Sequence, residues 1–333
     1  MAEQIRQYGL LLPHFGSGAK PDRIIGSAVE AERLGFDSVW VRDHLIYHPH
    51  EYEDQDRTFI DPIVILSAIA SVTKTLTLAT GSLIPHRHPI HTAVLLTSLQ
   101  FIAGPGRVLA GWGLGTYDHE FDAMGLGDWD RRELLPEYVE ILRKLWTGET
   151  IAHAGKFYTF DNVDVHPSPG QSIPIWYCGT SVASTRRAVE YCDGWIPGRM
   201  PRYMFARRIE QMRRMAEQKR RTDLPHTGAI PWVSPGKTRE EASKMLDLPM
   251  LLAATEQRYG EPPNGRTGRL EDLDGAVIAG PADVIIDGVR KYQEVGGLHF
   301  VFDLRARVDD WEECVAFLGE EVLPELKRGD LMS

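Results

Sequence analysis

Short apolar runs alternate along the chain with longer stretches in which apolar residues recur every three or four positions, a pattern that predicts strands and helices in turn. Tyr8 to Pro13 (YGLLLP) is an unbroken apolar run ended by proline, as expected of a strand buried on both faces. In the following PDRIIGSAVEAERLG, Ile24, Ile25, Ala28, Ala31 and Leu34 share one helical face and Gly35 supplies the stop. The unit then recurs. Asp37 to Val41, Leu76 to Thr80, Arg107 to Trp112 and Ile173 to Cys178 are expected strands; their partner helices fall over 61–72, 91–104, 131–146 and 181–191. Asp61 is placed to cap its helix, with Pro62 in the first turn. Asp193 to Pro197, Thr227 to Val233 and Leu298 to Leu304 bring the strand count to eight.

Eight strands separated by helices over this length predict a closed (β/α)8 TIM barrel spanning 1–333 as one domain, with an insertion at 234–275. A doubly wound sheet fits less well, because the first turn, PHFGSGAKP, lacks the G-x-G-x-x-G register of a dinucleotide fold. In a barrel the strand ends converge on one face, so residues far apart in sequence share a pocket. That rule gathers His14 and Phe15, Asp43 and His44, Gly81 to Leu83, Gly111 to Gly113, Gly179 to Ser181, and Trp195. The insertion, with a helix expected around Arg239 to Tyr259, either covers the pocket or forms an oligomer contact.

Composition narrows the class. Lys and Arg number 37 against 47 Asp and Glu, and the net charge of −10 argues against a broad nucleic-acid surface. Cys178, Cys192 and Cys314 form no close chelating set and favour a reducing, cytoplasmic setting. The first nine residues lack the apolar core of a secretory signal, and no apolar run approaches membrane-spanning length.

Several residue types carry candidate chemistry. His44 directly follows the second strand, where an imidazole is suited to proton exchange; it serves equally to anchor the segment Leu45 to Ile60. Asp43 is placed either to orient that imidazole or to cap local backbone. Gly179, Thr180 and Ser181 precede a helix, where free N–H groups and hydroxyls bind an anion; a plain N-cap by Ser181 is the simpler alternative. Trp112 is a ring-packing candidate or a core filler, and His14, Phe15 and Trp195 are candidate substrate-pocket walls. His86, His88 and His91, with His48 and His50, raise the question of a metal, but no compact chelate is specified and none is expected.

Taken in order, AERLGFDSVWVRDHL, TLATGSLIPHRHPIHTA, RVLAGWGLGTYDHEFDAMG, YVEILRKLWTGE, CGTSVASTRRAVEYCDGWIP and IAGPADVIIDGVRKYQEVGG with LHFVFDL resemble the ordered blocks of the bacterial luciferase-like monooxygenase and deazaflavin-dependent oxidoreductase superfamily. The resemblance implies a barrel holding either reduced FMN or the deazaflavin coenzyme F420, with His44 in proton chemistry. It also implies a bulge at Gly81, Ser82 and Leu83 supporting the ring, with a cis peptide expected at Ser82–Leu83, and a cofactor phosphate near Gly179 to Ser181. Against the deazaflavin sugar-phosphate dehydrogenase pattern, His48 stands where tryptophan is usual and Thr116 where glutamate is usual. On that ground the sequence favours a reduced-FMN monooxygenase acting with O2 on a small organic substrate. The alternatives are F420-linked hydride transfer and a non-catalytic flavin-binding protein. A separate flavin or F420 reductase and a homo-oligomer are further expectations; nucleic-acid and membrane partners are not.

Overall fold

The computed structural model describes residues 6–49, 55–170, 172–263 and 265–330. Twelve strands occur among them: β1 Gln7–Leu11, β2 Ser38–Val41, β3 Thr77–Thr80, β4 Val108–Trp112, β5 Ile151–Ala154, β6 Thr159–Val163, β7 Ile175–Cys178, β8 Gly194–Ile196, β9 His226–Ala229, β10 Trp232–Pro235, β11 Val277–Gly280 and β12 His299–Asp303. Eight of them close a parallel barrel in the order β1-β2-β3-β4-β7-β8-β9-β12, and β12 pairs back onto β1 from Gln7↔His299 to Leu11↔Asp303. The expected TIM barrel is therefore the observed fold.

Local sequence accounts for the element ends. Pro62 opens the helix Pro62–Val72, and the Asp61 carboxylate accepts from the N–H groups of Ile63 (2.8 Å) and Val64 (3.3 Å). Gly35 ends the first helix, Pro21–Leu34, at φ +86°, a conformation that favours glycine. Inside the barrel, Leu11, Trp40, Ala79, Leu109, Trp176, Ile196, Ile230 and Val301 form one apolar cluster. A small polar network shares that interior. The Trp40 indole donates to Ser38 Oγ (2.9 Å), which lies 2.8 Å from the His299 ring. A larger cluster fills the space between barrel and helices.

The structure revises three expectations. Thr227 to Val233 is two strands: β9 pairs with β8 and β12, whereas β10 beyond Ile230 and Pro231 keeps only the Trp232↔Asp303 pairing with β12 and turns its other edge to β11. Pro231 has no N–H to continue the ladder, so the break falls where a ladder donor is missing. Between the helix Arg131–Leu145 and β7, where no strand is expected, lies the antiparallel hairpin β5–β6. The inserted unit is wider than the expected 234–275: residues 232–280 carry β10, β11 and the helices Arg239–Ser243 and Leu248–Tyr259, with an apolar cluster of their own around Trp232, Leu251, Leu273, Ala276 and Val277.

Candidate active site

The C-terminal ends of β2, β3, β4, β7 and β8 surround a cavity of about 420 Å³. Its walls are Arg42, Asp43 and His44 after β2, Gly81 and Ser82 after β3, Gly113 to Thr116 after β4, Cys178 to Ser181 at the end of β7, and Gly198 after β8. This is the active-site face of a TIM barrel. Five of these wall residues are glycines; at Gly81, Gly113, Gly115 and Gly179 the missing Cβ lets neighbouring side chains pack close. At Gly198 an added Cβ would meet nothing within 4 Å.

His44 is held from one side of its ring. Nδ1 lies 3.2 Å from Glu120 Oε2, and Tyr47, Phe59 and Tyr117 pack around the imidazole at 5.3 to 5.6 Å between centroids. Glu120 sits on the short helix Asp118–Ala123 with its side chain wholly buried. Its Oε1 accepts from the backbone N–H groups of Leu45 (2.6 Å) and Ile46 (3.0 Å). Burial by itself raises this carboxyl, but the hydrogen bonds from His44, Ile46 and Leu45 outweigh it and hold the group below the ordinary glutamate range. An ionised acceptor at Nδ1 places the ring proton there, leaving Nε2 as the unprotonated nitrogen of the neutral ring. Sequence reasoning missed Glu120. The available signal was an acid beside Phe121 on a turn whose other polar residues, Asp118, His119 and Asp122, face outward.

Asp43 does not orient His44. Its buried carboxylate takes two hydrogen bonds from Arg87 (2.6 and 3.0 Å) and one from the Ile84 N–H (3.0 Å), and Arg87 continues to the cap residue Asp61 at 2.6 Å. Burial opposes the charge on Arg87, yet Asp43 and Asp61 hold its guanidinium well above its usual range. Asp43 is thus a latch between strand end, turn and helix start, with no lone pair directed at the imidazole in these contacts.

The bend after β3 contains a cis peptide at Gly81–Ser82, one bond earlier than expected. Leu83 is unavailable for it because it has already joined the ladder: its N–H donates to Gly111 O (2.7 Å) and its carbonyl accepts from Gly113 N–H (2.9 Å). Leu83 and Trp112 are buried in the main core and do not line the cavity.

Gly179, Thr180 and Ser181 do line it, at the start of the helix Val182–Tyr191. The Ser181 hydroxyl is engaged in a capping box, accepting from Ser184 N–H at 3.1 Å. The loop is pinned from below, since the Trp195 indole donates to Gly179 O (2.9 Å) and Arg208 to Thr180 O (3.1 Å). Trp195 is wholly buried, so its place is beneath this loop and not in the pocket wall. Arg187 and Arg258 add positive charge to the cavity beside the loop.

Of the remaining candidates, His14 is fully buried, with Nδ1 3.0 Å from Leu12 O and Nε2 accepting from Arg42 N–H at 3.0 Å. Burial holds this imidazole neutral, with a pKa of about 3, and it lines neither large cavity at the strand ends. Phe15 faces a second cavity beside the first. His86 is buried 3.9 Å from Asp43, His88 caps the helix Pro89–Ala103, and His50 lies outside the described residues. Among the described residues no three His, Cys, Asp or Glu side chains gather as a metal-ligating group, and no helix is long and apolar enough to cross a membrane.

Residues 7–299 match the family described as luciferase-like monooxygenase, and the chain belongs to that family. It is accordingly an enzyme of the oxidoreductase class. An F420-dependent glucose-6-phosphate dehydrogenase of Nakamurella multipartita is 29% identical to it over 92% of this chain and 93% of the relative. Among solved structures, an F420-dependent secondary alcohol dehydrogenase in complex with an F420-acetone adduct superimposes with a TM-score of 0.79 at 19% identity, over 97% of this chain and 99% of that one. The oxygenating constituent of 3,6-diketocamphane monooxygenase from Pseudomonas putida, in complex with FMN, gives 0.77 at 20% identity, over 97% and 99%. These two likenesses establish the shared barrel.

Proposed function

We propose that this enzyme is an F420-dependent oxidoreductase that moves hydride between the deazaflavin and an organic substrate. The reduced-FMN monooxygenase favoured by the sequence pattern gives way because a relative aligned over nearly the full length of both chains is an F420-dependent dehydrogenase. That alignment is the observation that carries the choice of cofactor. The site fits a phosphorylated tricycle of this kind: the cavity wall is open at Gly198, and an amide-rich loop flanked by Arg187 and Arg258 suits its phosphate.

When bound, F420 supplies two-electron hydride chemistry, and the protein supplies binding, orientation and proton handling. His44 is the proton-handling group in this reading. With Nδ1 committed to Glu120, its Nε2 takes a proton from a substrate hydroxyl in the oxidising direction and returns it to the developing alkoxide in reverse. Thr180, Arg187 and Arg258 hold the phosphate, while Ser181 sets the helix start that aims the loop's N–H groups. Titration with F420 and with FMN, first anaerobically and then in air with oxygen uptake followed, tests the reading. We expect tighter binding of F420, and reduction of its absorbance by an oxidisable substrate without O2 uptake. Binding of FMN alone, with substrate-dependent O2 consumption, would restore the monooxygenase reading.

A further inference from the structure

A second cavity, of about 380 Å³, lies against the first at the ends of β1, β10 and β12. The two meet across one aromatic wall. Arg42, which lines the His44 cavity, places its guanidinium 3.7 Å from the centroid of Phe15, and Phe15 lines the second cavity. Tyr47 also lines the second cavity, and its ring lies 5.6 Å from that of His44.

The chamber is lined chiefly by apolar side chains: Leu11 and Phe15 from the first barrel unit, Trp232 from β10, Met250 and Leu251 from the insertion helix, and Ala306 after β12. Its charged lining is Arg305 with Asp247, Asp303 and Asp309. Arg305 is ion-paired to Asp303 at 2.6 Å, and Asp247 caps the helix Leu248–Tyr259 through Met250 N–H. Arg42 and Arg199 stack on Phe15 and Trp232 and are not part of this lining. Three carboxylates against one guanidinium already engaged by one of them oppose a phosphate dianion, whereas the apolar walls favour hydrocarbon.

We infer that this chamber receives the body of the substrate, and that the substrate is an uncharged alcohol or ketone with a sizeable apolar portion, not a sugar phosphate. The inference rests on the F420 oxidoreductase reading for the chemistry at His44. It assigns the insertion a role in specificity, because Met250 and Leu251 of the helix Leu248–Tyr259 line the chamber.

The test is direct binding of straight-chain secondary alcohols of increasing length to the full-length protein, read by calorimetry and ligand-observed NMR. Affinity is expected to rise roughly threefold to fourfold per added methylene until the chamber is full. Ala306→Phe and Met250→Trp, which fill the space from two different elements of the chain, should each abolish that rise while F420 affinity stays within about twofold of the unmodified protein. F420 affinity also reports folding of the variants. A flat response to chain length, a rise that persists in both filled variants, or preferential binding of glucose 6-phosphate overturns the inference. The two readings fail separately. A length-dependent rise without F420 affinity keeps the chamber and removes the cofactor reading; F420 affinity without the rise does the reverse.

Discussion

Glu120 faces His44 across 3.2 Å from a helix 76 residues further along the chain, and the same carboxylate holds the two N–H groups that follow His44. One acid therefore fixes both the ring and the backbone that carries it. An arrangement of this kind sets the tautomer of the imidazole without itself touching substrate.

Glu120→Gln keeps the shape of the side chain but removes the charge that places the proton on Nδ1. We expect kcat to fall about tenfold to a hundredfold with F420 affinity nearly unchanged, and His44→Asn to cost at least as much. Glu120→Ala should also lower stability by about 1–3 kcal/mol, since two backbone donors lose their acceptor. Steady-state kinetics beside denaturant unfolding separate the two effects. Full activity in folded Glu120→Gln would show that His44 needs no partner at Nδ1.

Asp43 was the more obvious candidate from sequence, being adjacent to His44, and the structure predicts the opposite phenotype for it. Asp43→Asn breaks a buried pair with Arg87, a change worth about 3–5 kcal/mol when one partner is left uncompensated. The variant should be recovered with a strongly lowered melting temperature and, while folded, a kcat within a few-fold of normal. A stable but inactive Asp43→Asn protein would return Asp43 to the chemistry.

The contrast between these two carboxylates shows what the sequence makes legible. Strand ends, the Asp61 cap, the Gly35 stop and the convergence of His44 with Gly81 and Gly179 follow from local patterns, because barrel topology turns sequence order into position. Glu120 was hidden because its partner is distant in sequence. His14 and Trp195 were misplaced for a related reason: both adjoin strand ends, but each spends its polar atoms on backbone beneath the pocket. An unbroken apolar run says that a strand is buried on both faces, not which of its residues reach the cavity.

At the phosphate loop, cap and ligand site can be pulled apart. Ser181→Ala removes the capping acceptor and should cost about 1 kcal/mol of stability. Arg187→Met should instead leave stability within about 0.5 kcal/mol. It should weaken F420 about tenfold while barely changing the affinity of the phosphate-free deazaflavin, as loss of a charge-assisted contact requires. Fluorescence titrations with both ligands decide the matter, and equal weakening of the two would point to ring displacement in place of a phosphate contact.

The two fully buried imidazoles make the last prediction, which concerns pH. Burial holds His14 and His299 neutral, each with a pKa of about 3 in the folded protein against 6.5 when exposed. Below pH 6.5 the unfolded chain therefore binds protons that the native barrel does not, so their contribution is complete above that value and is lost as pH falls toward 3. Each site should add a slope approaching about 1.4 kcal/mol per pH unit across the middle of that window. Unfolding free energies at pH 7, 6 and 5 should accordingly fall with acid more steeply in the natural protein than in His299→Gln, whose side chain can still meet Ser38 within the barrel but cannot titrate. Carboxylates such as Glu120 steepen the acid side of both proteins alike and cancel in the comparison. Identical slopes would mean that His299 is protonated in the native barrel, and the Ser38, Trp40 and His299 network would then have to accommodate a charge.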